Sequence, residues 1–339
     1  MKLFIIWVAA ICLTACDKME RSSFETASPA SGGASLRLIQ TIPLPGVEGR
    51  IDHLAVDLKG QRLFIAALGN NTVEIVDLNT SKVIHSITGL SEPQGIVFVP
   101  EFRKIFVANG GNGACEIFDS DTLQLVDKLD LSGDADNIRY DVNSRLVYVG
   151  YGNGGLRLID ASTDKTLSDI KLDGHPESFQ LESAGSKIFV NIPSAHQIAE
   201  VDRLQKKVAA KWTIASADAN YPMALDENQH RLFVGFRSPA NLKVYDTETG
   251  HPVTTLDSVA DGDDIFYDAA HKIIFVIGGE GSIDIFSQQD PDHYKLITRI
   301  PTAAGARTGL WVQELNRLYV AIPRRGAQEA EIRVYELQS

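Results

Sequence analysis

The sequence predicts an all-β fold, a seven-bladed β-propeller of four-stranded blades, and three observations carry that prediction. A strand, a hairpin and a second strand closed by Asp, KIFVANGGNGACEIFD at residues 104–119, recur along the chain. The other copies are RLFIAALGNNTVEIVD, RLVYVGYGNGGLRLID, KIFVNIPSAHQIAEVD, RLFVGFRSPANLKVYD, KIIFVIGGEGSIDIF and RLYVAIPRRGAQEAEIRVYE, which makes seven. Their first apolar residues, Leu63, Ile105, Leu146, Ile188, Leu232, Ile274 and Leu318, lie 42, 41, 42, 44, 42 and 44 residues apart. A period of about 40–45 residues with four strands per unit is the propeller pattern. Finally, the last copy stops one strand short, while a lone strand precedes the first copy.

The N-terminus reads as a targeting segment. Lys2 supplies a positive start, and residues 3–13 form an apolar run of eleven, too short for a stable membrane span. The run ends in Leu13-Thr14-Ala15-Cys16, which resembles a bacterial lipobox. That resemblance implies cleavage before Cys16 and diacylglycerol on its sulfur, hence a membrane anchor. The alternative is an ordinary secretory signal that contains cysteine. Residues 16–35 hold the lipidated Cys and a tether rich in Ser, Ala, Gly and Pro. A flexible chain of this length spans on the order of 25 Å. The implied address is the bacterial cell envelope, periplasm-facing or surface-exposed, and Asp17 leaves the choice of membrane open.

From residue 36 to 339 the repeats follow without interruption. In the second unit the β-rich runs cover residues 95–99, 105–108, 115–119 and 124–129. Pro100-Glu101, residues 110–113 and residues 119–122 separate them as turns. Runs this short and β-branched, so evenly punctuated, are antiparallel strands. In the last unit only residues 307–312, 318–322 and 332–337 form strands before the chain ends. The lone strand LRLIQTIPL, residues 36–44, is expected to complete that blade from outside, which balances the count at seven blades of four. Ring closure protects the sheet edges.

KIFVANGG at residues 104–111, with GLSEPQGIVFVP before it at residues 89–100, resembles the YVTN family of β-propellers. The chain from about Leu36 onward is similar to a YncE-like propeller. The likeness implies the fold and a lipid-anchored envelope protein, and it says little about function, because propellers of one shape do different work. No Trp-Asp pair occurs, and Gly-His does not recur in every copy as WD repeats would have it.

Charge and cysteine use narrow the function classes. The formal net charge of −12 and the lack of a basic stripe argue against nucleic acid as a partner. Of three cysteines, Cys12 leaves with the leader and Cys16 carries lipid, so Cys115 has no intramolecular partner and is expected as a buried, inert thiol. Hydrophobic residues make up 44 %, enough to pack blade against blade in one monomeric domain.

Propeller geometry places the loops leading into each first strand, and the hairpins between second and third strands, on one face. Aligned copies contribute Asp52, Gln94, Asp136, Glu177, Tyr221, Asp263 and Arg307 to the channel mouth there. The next position holds His53, Gly95, Asn137, Ser178, Pro222, Asp264 and Thr308. Side chains alternate along a strand, so only one of these rings should face the channel squarely. The first ring is polar throughout and differs between neighbours, which suits an asymmetric ligand pocket; a water-filled channel is the alternative. Asp52, Glu177 and Asp263 are candidate oxygen ligands for Ca²⁺ or Mg²⁺, although no linear motif marks a metal site. His175 and Glu177 are a candidate acid–base pair. His53, His175 and His196 fall on the mouth face but in blades one, four and four, which disfavours a three-histidine metal site. Arg237, Arg324 and Arg325 on hairpins, with Arg307, would make one side of the mouth basic and receptive to an anion. Gly-x-Ser-x-Gly, His-Glu-x-x-His and Cys-x-x-Cys are all missing. The reading is a membrane-tethered propeller that binds a small molecule or an envelope protein through its mouth. The alternative, by fold analogy, is a metal-assisted lactonase or lyase.

Overall fold

The structure, a computed structural model, describes Met1 and residues 34–338. The expected leader, the expected lipidation site at Cys16 and nearly all of the expected tether lie outside the described residues. Residues 34–339 form one compact unit.

That unit contains seven antiparallel sheets of four strands. Blade one runs β2 (Leu54–Asp57), β3 (Arg62–Ala67), β4 (Thr72–Asp77) and β5 (Lys82–Thr88). Blade two is β6 (Pro93–Val99) to β9 (Leu125–Asp130), blade three β10 (Ala135–Asp141) to β13 (Lys165–Lys171), and blade four β14 (Phe179–Leu181) to β17 (Lys207–Thr213). Blade five is β18 (Asp218–Asp226) to β21 (Pro252–Asp257), and blade six β22 (Gly262–Asp268) to β25 (Tyr294–Pro301). Blade seven holds β26 (Gly309–Val312), β27 (Arg317–Ile322) and β28 (Glu331–Gln338). Its outer strand is β1 (Ser35–Pro43), in the order β1-β28-β27-β26. The chain therefore closes the ring as its truncated last repeat requires.

Local chemistry explains the repeat. The second and third strands are buried on both faces and are almost continuously apolar; the outer strands are mostly exposed. Asp at the end of the third strand is a turn device. Asp77, Asp119, Asp160, Asp202 and Asp246 each accept a backbone N–H from three residues on, at 2.7–3.0 Å. Such a carboxylate turns the chain into the fourth strand. Packing between blades forms seven hydrophobic clusters, one at each blade-to-blade interface. Cys115 lies in one of them as a free, buried thiol, and burial pushes its pKa up. It is therefore inert at neutral pH.

Candidate functional site

The mouth is built by a recurring irregularity. In four innermost strands the pairing register breaks, between Pro93 and Ile96, Ala135 and Ile138, Asn220 and Met223, and Gly262 and Asp264. These bulges fall at the aligned ring positions. A bulge cancels the alternation of side chains and lets consecutive residues point the same way. The expectation that only one ring faces the channel is thus corrected, since Asp136 and Asn137, or Asp263 and Asp264, both reach it.

Gly95 sets the spacing between blades two and three. A Cβ there would stand 2.1 Å from the carbonyl oxygen of Asp136. Only glycine lets the two strands approach so closely.

Three groups of contacts fill the mouth. The first is an arginine–carboxylate lattice on the side of blades five to seven. Arg237 hydrogen-bonds Asp263 and Arg307 lies 2.8 Å from Asp261. Arg50 pairs with Asp52 at 2.7 Å and reaches within 3.8 Å of Asp263. The Arg237 guanidinium also lies 4.0 Å from the centre of the Tyr221 ring. Burial raises the pKa of Asp263, and the three arginines oppose that rise. Arg324 stands apart, paired with Glu48 and, at 3.8 Å, with Glu329. Arg237, Arg307 and Arg324 are therefore already matched by carboxylates, and of the expected basic patch only Arg325 has no ion pair among the described residues.

The second group is a strut across the channel. His53 of blade one lies 3.4 Å from Asp264 of blade six, 3.1 Å from Asn137 of blade three and 3.6 Å from Asp52. Burial alone would lower the His53 pKa; Asp264 and Asp52 outweigh it and raise the pKa to about 10. The imidazolium needs an acceptor at each nitrogen. Asn137 supplies one when its amide turns Oδ1 to the ring, and Oδ1 is otherwise a buried oxygen with no partner. Asp52 is pushed up to about 6 by burial, against the pull of His53 and Arg50.

The third group is a set of metal-type donors. Asp136, His175 and Glu177 each offer a ligand atom, and these atoms lie within 4.8 Å of one another. His175 donates Nδ1–H to the Gly152 carbonyl at 2.7 Å, which leaves Nε2 facing Asp136 at 3.8 Å. That backbone bond fixes the tautomer, as is usual for a ligating histidine. Burial would lower the His175 pKa, but Asp136 and the Gly152 carbonyl raise it to about 9. Glu177 has no hydrogen bond or ion pair to its carboxylate among the described residues; burial first, and then Asp136, push its pKa up to about 8. Asp134 flanks the set, 3.8 Å from His175 and bonded by Gln94 at 3.1 Å.

The sequence-derived metal ligands thus separate: Glu177 belongs to the donor set, whereas Asp52 and Asp263 are taken by arginines. His196 pairs with Asp218 at 2.9 Å on an exposed hairpin, away from His53. Thr308 hydrogen-bonds the Ile51 carbonyl. Sequence reasoning missed Arg50, Asp134 and Asp261. Each precedes a ring residue by two positions, in the register that also holds His175, so a third aligned ring would have found them.

No family model matches the chain, and no curated protein matches its sequence. Among solved structures it is similar to the Kuenenia stuttgartiensis hydrazine synthase, with a TM-score of 0.72 and 15 % identity over 82 % of this chain and 95 % of that one. It is also similar to a chain of a mitotic checkpoint complex, with a TM-score of 0.76 and 13 % identity over 96 % and 99 % of the two chains. At such identities the likeness concerns the fold alone, and the chain is a seven-bladed β-propeller.

Proposed function

We propose that this chain is a lipid-anchored, YVTN-type binding propeller of the bacterial envelope, whose mouth holds a divalent metal ion and a ligand upon it. The convergence of Asp136, His175 and Glu177 carries the reading. Glu177 is a half-buried carboxyl left without a partner, which is unfavourable, and a cation bound by it removes that cost. One imidazole with two carboxylates suits Zn²⁺ or Mn²⁺ better than Ca²⁺, which prefers an all-oxygen shell. Three protein donors leave a coordination position for an exogenous ligand. The neutralised arginine lattice opposite acts as a rigid wall that shapes the pocket.

The same open position supports a second reading, a metal-assisted lactonase- or lyase-type enzyme, with Asp134 beside the set as a base. Calorimetric titration of the EDTA-treated full chain with Zn²⁺, Mn²⁺ and Ca²⁺ separates these ideas. One Zn²⁺ or Mn²⁺ per chain, lost in Glu177→Gln and Asp136→Asn, is the expected result. Wild-type indifference to all three ions sinks the metal reading. Turnover of lactones by the metal-loaded chain, missing after EDTA, would favour the enzyme.

A further inference from the structure

Beyond the His53 strut the innermost strands continue toward the opposite face of the ring, and a cavity of about 480 Å³ opens between them. All seven innermost strands line it, and His53 and Asp264 form its ceiling. The volume lies within the range of small-molecule sites. Its wall is mostly apolar, with Ala55, Val97, Phe266 and Leu310 among the lining residues. Gln180, Arg139 and Tyr140 are the polar side chains in that wall, and Tyr140 gives its hydroxyl to Glu101. Gln180 spends its amide on the Met223 carbonyl at 2.9 Å.

Arg139 differs from the other arginines that line the channel or pack between blades with a carboxylate partner; of the described arginines with a buried guanidinium, Arg317 also lacks an ion pair, but it lies on β27, away from this cavity. Arg203, Arg231, Arg237 and Arg307 each meet a carboxylate. Arg139 donates Nη1 to the Ile138 carbonyl at 2.8 Å and lies 5.6 Å from the Phe179 ring. Among the described residues no carboxylate lies within ion-pair distance of it. Burial pushes its pKa down, and Asp264 and Asp136 offset that only from a distance. Unmatched charge in an apolar enclosure is unfavourable, and a guanidinium presents a planar fork that fits a carboxylate.

We propose that the lower channel is a second binding site, for a small amphipathic carboxylate held head-first by Arg139, with its hydrocarbon against Val97, Phe266 and Leu310. One guanidinium balances one negative charge. A dianion would leave an excess beneath Asp264, whose own charge is already met by His53. The site is separate from the metal donors, on the other side of the strut, and does not depend on them.

Octanoate and 1-octanol are the probes, titrated calorimetrically into the full chain. One octanoate per chain is expected, with affinity well above that of octanol. Arg139→Gln should weaken octanoate by about 10- to 100-fold, as expected for loss of a charged hydrogen-bonding partner, and leave octanol unchanged. Val97→Phe fills the cavity and should abolish octanoate binding while Arg139 stays in place. No saturable octanoate binding, or affinity within twofold of wild type in Arg139→Gln, overturns the proposal. Should Arg139→Gln fail to fold, undiminished binding by Val97→Phe overturns it equally.

Discussion

His53 is an imidazole enclosed between Asp264, Asp52 and Asn137, and it holds a proton to about pH 10 against an ordinary value of 6.5. A raised folded pKa contributes stability that is complete below pH 6.5 and lost as the pH rises through 10. The contribution is on the order of a few kcal/mol. Melting temperature measured from pH 7 to 10.5 should therefore fall by several degrees in wild type and less in His53→Gln. Parallel curves for the two proteins would remove the strut from the account of stability. Asp263 works through charge as well, because Arg237, Arg50 and Arg307 surround it. Asp263→Asn takes the shared carboxylate out of a half-buried lattice and should cost about 1–3 kcal/mol, the cost of losing a charged hydrogen-bond partner. Denaturant unfolding without metal measures it, and a stabilised variant would show that repulsion, not pairing, dominates there.

At the scale of the element, the bulged innermost strand is the unit that makes the site. β10 carries Asp136 to the donor set and Asn137 to the strut because its register breaks before Ile138. Gly95 in β6 keeps room for it, so Gly95→Ala forces the Asp136 backbone aside. That variant should lose about 1–3 kcal/mol of stability, as overpacked sites do, and bind metal more weakly than wild type by titration. Unchanged metal affinity would mean that the donors do not depend on this approach. β1 is the other decisive element. It pairs with β28 from Ser35↔Gln338 to Pro43↔Glu331, and its Ile42 is fully buried between blades seven and one. Deleting residues 36–44 should lower the melting temperature strongly, whereas deleting residues 17–34 should leave it nearly unchanged. Ile42→Ala alone should cost about 2–5 kcal/mol. Equal melting of both truncations would contradict closure by β1.

For the whole molecule, seven similar interfaces arranged in a ring leave each sheet with short edges and give a rigid frame around one channel. The His53 strut divides that channel into an acidic mouth and an apolar lower cavity. The proposed anchor belongs to this scale too, since LTAC at residues 13–16, if lipidated, would hold the frame near a membrane. Labelled palmitate should enter the wild-type chain and be excluded from Cys16→Ala. Label in the variant would refute the lipobox.

The number of blades, the strands within them and the closure by the N-terminal strand were legible in the sequence, because each depends on local signals. Apolar runs of strand length, glycine hairpins and Asp-capped turns recur at fixed spacing, as at Asp119 and Asp160. The polar ring at the mouth was legible for the same reason, since repeat alignment alone puts Asp136, Glu177 and Asp263 at equivalent places. Tertiary structure decided which of them act together. Bulges turned neighbours such as Asp136 and Asn137 to the same side, against the alternation of a regular strand. Blade-to-blade approach joined Asp136 of one repeat to His175 and Glu177 of the next and brought arginines from other blades onto Asp263, while Asp52 was taken by Arg50 of its own loop. Arg139 shows the same division: its place in a strand is local, and its lack of a counter-charge depends on what every other blade presents to the channel.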